Sequence, residues 1–207
     1  MRNSFLILTK TIFFLALSQI SFAQNVGCSE WKLKEENGNF KTYVRECDDS
    51  PIKEFKVVDR FKANFETLVT TMNNVNTTKA ISETCKDARI VKVIDKNTEI
   101  HYFYFDLPMG LADRDMISKF TFYSTDKNYF CCSEVYQESL VPSPRGVVRL
   151  NKAKATFAFE KMDDGTVRME YIARADPNGW FPAWIVNMLA RKEARKMIDK
   201  LKVLVQN

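Results

Sequence analysis

Histidine, glycine and proline are scarce in this 207-residue sequence, and each scarcity excludes a class of site or architecture. His101 is the single histidine, and the five cysteines contain no C-x-x-C pair, so the ligand spacing of a zinc site is missing. Six glycines and six prolines are too few for an interdomain linker, and no glycine-rich loop is present to hold phosphate. We therefore predict neither a metal nor a cofactor.

The sequence also lacks a catalytic set and a strong charge of one sign. No serine or cysteine stands with His101 in a pattern typical of a nucleophilic enzyme. The charged run Asp113-Arg114-Asp115 precedes a strand, which favours an ion pair that pins a loop over acid–base chemistry. The net charge of +5 is spread along the chain, so we predict no nucleic-acid partner. We expect a non-enzymatic protein that functions as a monomer.

The first 23 residues have the composition of a secretory signal peptide. Arg2 and Lys10 supply positive charge, Thr11–Leu17 is apolar, and Ser21-Phe22-Ala23 forms a small-x-small cleavage site. An uncleaved membrane anchor is the alternative, but Lys10 interrupts an apolar run that is already short for crossing a bilayer. A lipoprotein signal is less suitable, because the residues before Cys28 lack leucine. We expect a secreted or periplasmic protein.

The remaining chain has the length of one domain. Removing 23 of the 207 residues leaves 184 and lowers the net charge from +5 to +3, since Arg2 and Lys10 are lost. That length suits one domain with a sizeable core. The later sequence contains no apolar run long enough to cross a membrane, no repeat and no low-complexity tract. We assign residues 1–23 to the signal peptide and residues 24–207 to one domain.

Alternating or aromatic-rich segments between turn residues predict an antiparallel sheet. Asn37-Gly38 is a strong hairpin signal between the first two strands. A short helix is expected at Asn64–Asn74, capped by Asn64. The predicted strands are Trp31–Lys34, Phe40–Glu46, Lys53–Phe61, Ile90–Lys96, Glu99–Leu107, Met116–Ser124, Tyr129–Gln137, Val147–Phe159 and Val167–Ala175.

The first hairpin also predicts a disulfide. With Asn37 and Gly38 at the centre of a two-residue turn, the numbers of facing residues sum to 75. Cys28 and Cys47 share that sum, so they face each other if the strand pairing continues that far. If the pairing ends earlier, both thiols stay free. In an oxidising compartment we expect the Cys28–Cys47 bridge to form.

The last strand leads through a turn into one long amphipathic helix. Asp176–Gly179 consists of turn residues, and Pro182 suits the first helical position, where a missing N–H costs nothing. Many strands followed by one terminal helix indicate an α+β fold, with an antiparallel sheet wrapped around that helix. The apolar residues at helical spacing are Trp184, Ile185, Met188, Leu189, Met197, Ile198, Leu201 and Val205.

Three segments occur in an order and at a spacing that resemble one known family. They are Leu107-Pro108 with Asp113–Ile117, then Arg145–Leu150, then the D-P-x-G-W-F-P turn from Asp176 followed by W-I-V-N-M-L. The pattern resembles the START domain, the steroidogenic acute regulatory protein-related lipid-transfer family, over about Trp31–Leu204. The resemblance implies a secreted, bacterial-type member with a helix-grip fold, in which a curved antiparallel sheet wraps around the C-terminal helix.

The resemblance also implies a function. Family members bind one lipid between the concave sheet and the terminal helix, which acts as a lid. From the residues alone, the apolar faces either close into a solid core or leave a cavity, and the resemblance favours the cavity. We expect carriage or sensing of a lipid or another hydrophobic small molecule. The candidate ligand-binding residues are Tyr102, Met116, Phe120, Phe122, Met169, Tyr171, Trp184 and Met188.

The sequence departs from the family pattern at Phe120, and it leaves two alternative functions open. Cholesterol-binding members have an arginine in the cavity where this sequence has Phe120, which disfavours a sterol ligand. A helix-grip enzyme of the cyclase or hydrolase type, acting on a hydrophobic small molecule, is the first alternative. It would be favoured if His101, Tyr102, Asp115 and Tyr171 converge on one cavity. A non-ligand interaction module is the second alternative, favoured if the sheet and helix pack without a cavity.

The terminal helix also carries a group of basic residues. Its simplest interpretation is the solvated face of an amphipathic helix. Because Trp180, Phe181 and Trp184 lie nearby in the sequence, a transient contact with an anionic membrane surface is the other interpretation. The residues are Arg191, Lys192, Arg195, Lys196, Lys200 and Lys202.

The signal-peptide assignment predicts cleavage between Ala23 and Gln24 in exported protein. Intact-mass measurement and N-terminal sequencing of the exported chain should find Gln24 as the first residue. A mature chain that starts at Met1, or a lipid on Cys28, would show that the assignment is wrong.

Overall fold

The strands form one curved antiparallel sheet, as predicted, and buried residues alternate with exposed ones along them. The structure is a computed structural model that describes residues 27–107, 110–179 and 181–206. The predicted signal peptide, and Pro108 and Trp180 of the START-like segments, lie outside the described residues. In β10 the buried residues Val167, Met169, Tyr171 and Ala173 alternate with more exposed ones, so one face of the strand belongs to the core.

The described residues form ten strands and three helices. The helices are α1 (Phe65–Asn73), α2 (Thr77–Ile81) and α3 (Ala183–Val205). The strands are β1 (Lys32–Asn37), β2 (Phe40–Cys47), β3 (Ser50–Lys62), β4 (Cys85–Asp95), β5 (Thr98–Phe105), β6 (Arg114–Ser124), β7 (Asn128–Val135), β8 (Val148–Arg149), β9 (Lys152–Lys161) and β10 (Thr166–Asp176).

The sheet order brings the last strand into the middle. The strands run β1-β2-β3-β10-β9-β7-β6-β5-β4, and neighbours are antiparallel. The short strand β8 pairs with β6 in parallel, so the predicted strand Val147–Phe159 is in fact two strands, β8 and β9. Helix α2 was not predicted from the sequence. Helix α1 was predicted correctly, and the Asn64 side chain accepts hydrogen bonds from the backbone N–H groups of Glu66 and Thr67.

The first hairpin has a different register from the predicted one, yet it forms the predicted disulfide. The two-residue turn is Gly38-Asn39, with φ +59° at Gly38, the position where a type II′ turn favours glycine. Asn37 therefore faces Phe40. The register then shifts between Leu33 and Glu35, and again before the isolated Cys28–Cys47 bridge. The two shifts restore the predicted pairing, and Cys28 is bonded to Cys47.

The second half of α3 is the central element of the core. Ala194, Ile198, Leu201 and Val205 are buried at spacings of three and four residues, so they share one face of the helix. That face packs on the concave side of β3 and β10 and against α1. The helix terminus is fixed by a hydrogen bond from the Asn64 N–H to the Val205 carbonyl oxygen, 3.0 Å long.

Charged and polar groups fasten this helix at both ends. Near its C-terminus the Lys202 ammonium pairs with the buried carboxylate of Asp59 on β3. Near its N-terminus the Asn187 side chain accepts a hydrogen bond from the Lys53 N–H at 2.9 Å and donates one to the Pro51 carbonyl oxygen at 3.4 Å. Pro182 is the N-cap rather than the first helical residue.

The three START-like segments meet where the chain enters α3. Arg114 donates to the carbonyl oxygens of Pro177 at 2.7 Å and Asn178 at 3.1 Å, so it holds the turn before the helix. Asn178 has a positive φ of 51°, and its side-chain amide donates to the Arg149 carbonyl oxygen at 2.8 Å. The charged run therefore pins a turn, but Arg114 does so through hydrogen bonds to backbone carbonyl oxygens and not through the predicted ion pair.

The neighbouring residue Asp115 points to the opposite face of β6 and is fully buried. Arg149 donates to both of its carboxylate oxygens, at 3.0 and 2.5 Å, in a bidentate ion pair. Hydrogen bonding to Asp115 raises the pKa of Arg149. Consecutive residues of one strand thus fix two different segments, the turn before α3 and the strand β8.

No helix within the described ranges is both long enough and apolar enough to cross a membrane.

The disulfide predicts a stability difference. Replacing both Cys28 and Cys47 by serine should lower the free energy of unfolding by about 3 kcal/mol, because the bridge closes a loop of roughly twenty residues. Urea denaturation of the oxidised protein measures the change. Cys132→Ser, at a partly exposed free thiol, is the matched control and should leave the transition near wild type. An unchanged midpoint in the double variant would contradict a stabilising bridge.

Candidate functional site

A partly open recess of about 340 Å³ lies between the concave face of the sheet and the middle of α3. We call it the inner cavity. Sheet residues form its walls, and the α3 residues Ala190, Glu193, Ala194 and Met197 cover it. The apolar wall residues from the sheet and α2 include Ile52, Phe55, Ile81, Phe105, Met116, Leu150, Ala153, Ala155, Tyr171 and Ala173.

Small side chains create this space. Ala153 and Ala155 on β9 face Ala175 and Ala173 on β10, and Ala190 and Ala194 are one helical turn apart on α3. Further along the same faces, β9 carries Phe157 and Phe159 and β10 carries Tyr171, and there the core is filled. Along the inward face of β9 the residues change from alanine to phenylalanine after Ala155, and this change was the signal that could have located the cavity.

Charged side chains and a few hydroxyl groups interrupt the apolar wall; the charged residues are Lys53, Lys154, Arg174 and Glu193. Ser118, Ser133 and Tyr171 line the inner cavity, and none of their hydroxyls hydrogen-bonds another described residue. Burial raises the pKa of Tyr171, so its hydroxyl stays protonated and can donate or accept a hydrogen bond. Because buried polar groups are normally hydrogen-bonded, these hydroxyls need water or a polar group of a ligand as a partner.

A second recess, also about 340 Å³, adjoins the inner cavity under the first half of α3. We call it the outer groove. It shares Lys53, Phe55 and Ala190 with the inner cavity, so the two spaces are neighbours across these residues. Its other lining residues are Lys34, Val44, Trp184, Asn187, Met188 and Arg191.

The structure distributes the predicted site residues over several places. Met116 and Tyr171 line the inner cavity. Phe120 and Phe122 are partly buried against the core, where Phe120 stacks on His101 with ring centroids 4.4 Å apart. Met169 is fully buried in the core.

The remaining three predicted residues lie elsewhere. Trp184 and Met188 line the outer groove and are 67% and 49% exposed, because the inward face of α3 continues through Asn187 and Ala190 instead. Tyr102 lies on the other face of the sheet, in a small cluster with Ile100 and Ile117. It therefore does not reach the inner cavity.

The four residues of the enzyme alternative do not converge. Tyr171 lines the inner cavity, but Asp115 and Tyr102 belong to the opposite face of the sheet. His101 is buried beside Phe120, and its Nε2 lies 2.7 Å from a Glu99 carboxylate oxygen. Burial lowers the pKa of His101, although the hydrogen bond to Glu99 opposes that shift.

Within the described residues, one group of potential metal ligands comes together, namely Cys28, Cys47 and Glu54. The two sulfur atoms are bonded to each other, so they cannot act as thiolate ligands. Glu54 is engaged with Arg45 at 2.6 Å. This group therefore stabilises the sheet edge and offers no metal chemistry in the oxidised protein.

A family model described as START domain matches residues 16–207. The match covers nearly the whole sequence, and the helix-grip architecture agrees with it, so the chain belongs to the START domain family. START domains are lipid-binding and lipid-transfer domains.

Relatives support the family and the fold. An uncharacterized protein of Pseudomonas aeruginosa is 22% identical over 173 residues, covering 84% of this chain and 85% of that protein. Human START domain-containing protein 10 is 21% identical over 120 residues, covering 56% of this chain and 41% of that relative. A fragment of a STAR-related lipid transfer protein from Xanthomonas axonopodis has a similar fold, with a TM-score of 0.75 at 22% identity, covering 86% of this chain and 100% of that fragment.

Proposed function

We propose that this protein binds a hydrophobic lipid in the inner cavity, with α3 as its lid, and carries or senses that lipid without transforming it. The observation that supports the proposal most is the unfilled, mostly apolar space between the sheet and α3. Small-molecule sites have volumes of about 300–1,000 Å³, so the inner cavity is at the lower end of that range. A larger lipid would require α3 to move away from the sheet.

The fastening of α3 favours movement of its first half. The second half is buried and carries the Lys202–Asp59 ion pair. The first half exposes Trp184 and Met188 and is attached to β3 mainly through the hydrogen bonds of Asn187. Two such neutral hydrogen bonds contribute only about 1 kcal/mol each, so a lid that opens from its N-terminal end is the less costly motion.

The alternative functions receive less support from this geometry. A helix-grip enzyme needs several polar groups around one reacting atom, and the candidate residues lie on opposite faces of the sheet. An interaction module without a ligand has no need of a cavity under α3. We therefore favour a secreted or periplasmic lipid-binding protein, acting as a monomer.

A matched pair of substitutions in β9 tests the cavity. Ala155→Phe should fill the inner cavity and abolish binding of a fluorescent fatty alcohol, while the unfolding midpoint changes little because space is available. Ala158→Phe makes the same change on the opposite face of the same strand and should preserve binding. Fluorescence titration and thermal unfolding provide the two measurements.

Two outcomes would contradict this proposal. The first is equal binding by Ala155→Phe and the wild-type protein, which would place the ligand elsewhere. The second is a loss of about 1–3 kcal/mol in Ala155→Phe, the cost of overpacking a filled core, together with no lipid binding by the wild type.

We also propose a transient membrane contact through the exposed side of α3. Leu189 is 43% exposed next to Arg191 and Lys192, which form no ion pair within the described part of the chain. An apolar side chain beside basic residues suits an anionic lipid surface. Other cations of this helix are engaged, since Lys196 lies 2.9 Å from Glu83 and Arg195 lies 3.0 Å from Glu35.

The double variant Leu189→Ser with Lys192→Glu should weaken cosedimentation with anionic vesicles about fivefold or more, because each basic residue near such a surface contributes about 1 kcal/mol. The matched control is Val93→Ser with Lys92→Glu, an exposed apolar–basic pair on the edge strand β4. Equal loss in both variants would indicate a nonspecific charge effect and overturn the assignment to α3.

A further inference from the structure

The outer groove has an unbalanced charge. Its lining includes three basic residues, Lys34, Lys53 and Arg191, and no acidic residue. Lys53 is already paired with Glu46 at 2.6 Å. Lys34 and Arg191 form no ion pair with any described residue. Two uncompensated cations therefore flank a recess that is otherwise lined by apolar side chains and Asn187.

Two acidic residues that adjoin the groove lining, Glu46 and Glu193, are engaged with other partners. Glu46 accepts from Lys53, and that hydrogen bond is the main cause of its lowered pKa, with Lys34 a smaller contributor. Glu193, which lines the inner cavity, lies 3.4 Å from Lys196. Neither carboxylate pairs with Arg191. An external anion is therefore the group that would balance the outer groove.

The inner cavity also has charged residues in its lining, but they already have partners. Lys53 pairs with Glu46, Arg174 pairs with Asp49 at 2.7 Å, and Glu193 pairs with Lys196. Lys154 is engaged as well. The hydroxyl groups of the wall are neutral, so a charged head group beside them would lose its hydration without gaining a counterion that is not already paired.

The inner cavity has a volume of about 340 Å³, which holds roughly eleven groups the size of a water molecule, since water takes about 30 Å³ in the liquid. That volume suits about eleven carbons of a single hydrocarbon chain in the observed conformation, and the remaining carbons of a longer chain would occupy the apolar part of the outer groove.

We infer that the ligand is a single-chain amphiphile with an anionic head group, a carboxylate or a phosphate. Its chain lies in the inner cavity and its head group lies in the outer groove between Lys34 and Arg191. The shared residues Lys53, Phe55 and Ala190 mark where the chain passes from one space to the other. This inference rests on the proposed lipid-binding function and adds the chemical class of the ligand.

The test compares three probes with the same hydrocarbon chain: oleate, oleoyl lysophosphatidate and the neutral oleyl alcohol. Their affinities are measured by displacement of a fluorescent fatty alcohol, at concentrations where the probes are monomeric. The variant Lys34→Gln with Arg191→Gln should weaken the binding of one or both anionic probes about tenfold, since each exposed ion pair contributes up to roughly fivefold. Its affinity for oleyl alcohol should not change.

The matched control is Lys62→Gln, at an exposed lysine near the other end of the strand that carries Lys53. Lys62 lines neither the outer groove nor the inner cavity, so this variant should bind all three probes like the wild type. Raising the salt concentration from about 10 mM to 1 M shortens the Debye length from about 30 to 3 Å and should weaken only the anionic probes.

The possible outcomes distinguish a wrong head group from a failure of the proposed lipid-binding function. If all probes bind equally well and the double variant changes none of them, the anionic head group is wrong but lipid binding stands. If no probe binds the wild-type protein, the proposed function itself fails. Inorganic phosphate should not displace oleate. Displacement by phosphate alone would show an anion site without a chain and would overturn the assignment to an amphiphile.

Discussion

The fold depends on two consecutive residues of β6 that point to opposite faces. Arg114 holds the backbone of the turn that starts α3, while the buried Asp115 binds Arg149 in a bidentate pair. Asn178 connects the two, because its side chain donates to the Arg149 carbonyl oxygen. A buried carboxylate that loses its partner costs about 3–5 kcal/mol, so this arrangement resists local change. It fixes where α3 begins.

After this turn, the packing along α3 differs between its two halves. Its C-terminal half buries Ala194, Ile198, Leu201 and Val205, and the Lys202–Asp59 pair anchors it to β3. Its middle, around Ala190 and Ala194, passes over alanines of β9 and β10, where no large side chain fills the space. One helix thus provides both the rigid core and the cover of a cavity. The difference arises from side-chain volume, since the helix itself is continuous.

The sequence predicted the architecture well because hydrophobic periodicity and turn chemistry act locally. The period-two pattern of β10, the Asn64 cap of α1 and the long helix after Asp176–Gly179 all occur in the structure. Short elements were harder. Helix α2 has five residues and strand β8 has two, so neither is long enough to show a recognisable hydrophobic periodicity. The Cys28–Cys47 pair was found although the predicted turn was displaced, because two later register shifts cancelled the error.

The cavity was harder to predict than the fold, because a cavity is the absence of side-chain volume. The residues predicted to line the cavity were mostly large and apolar, but large residues such as Met169 fill the core and close space. The space lies instead beside Ala155, Ala173 and Ala194, whose small size has no consequence until three elements face one another. Charge balance depends on the assembled structure in the same way. Arg191 belongs to a basic helix in the sequence, and only the packing shows that Arg195 and Lys196 have acidic partners while Arg191 faces a groove that has no acidic residue.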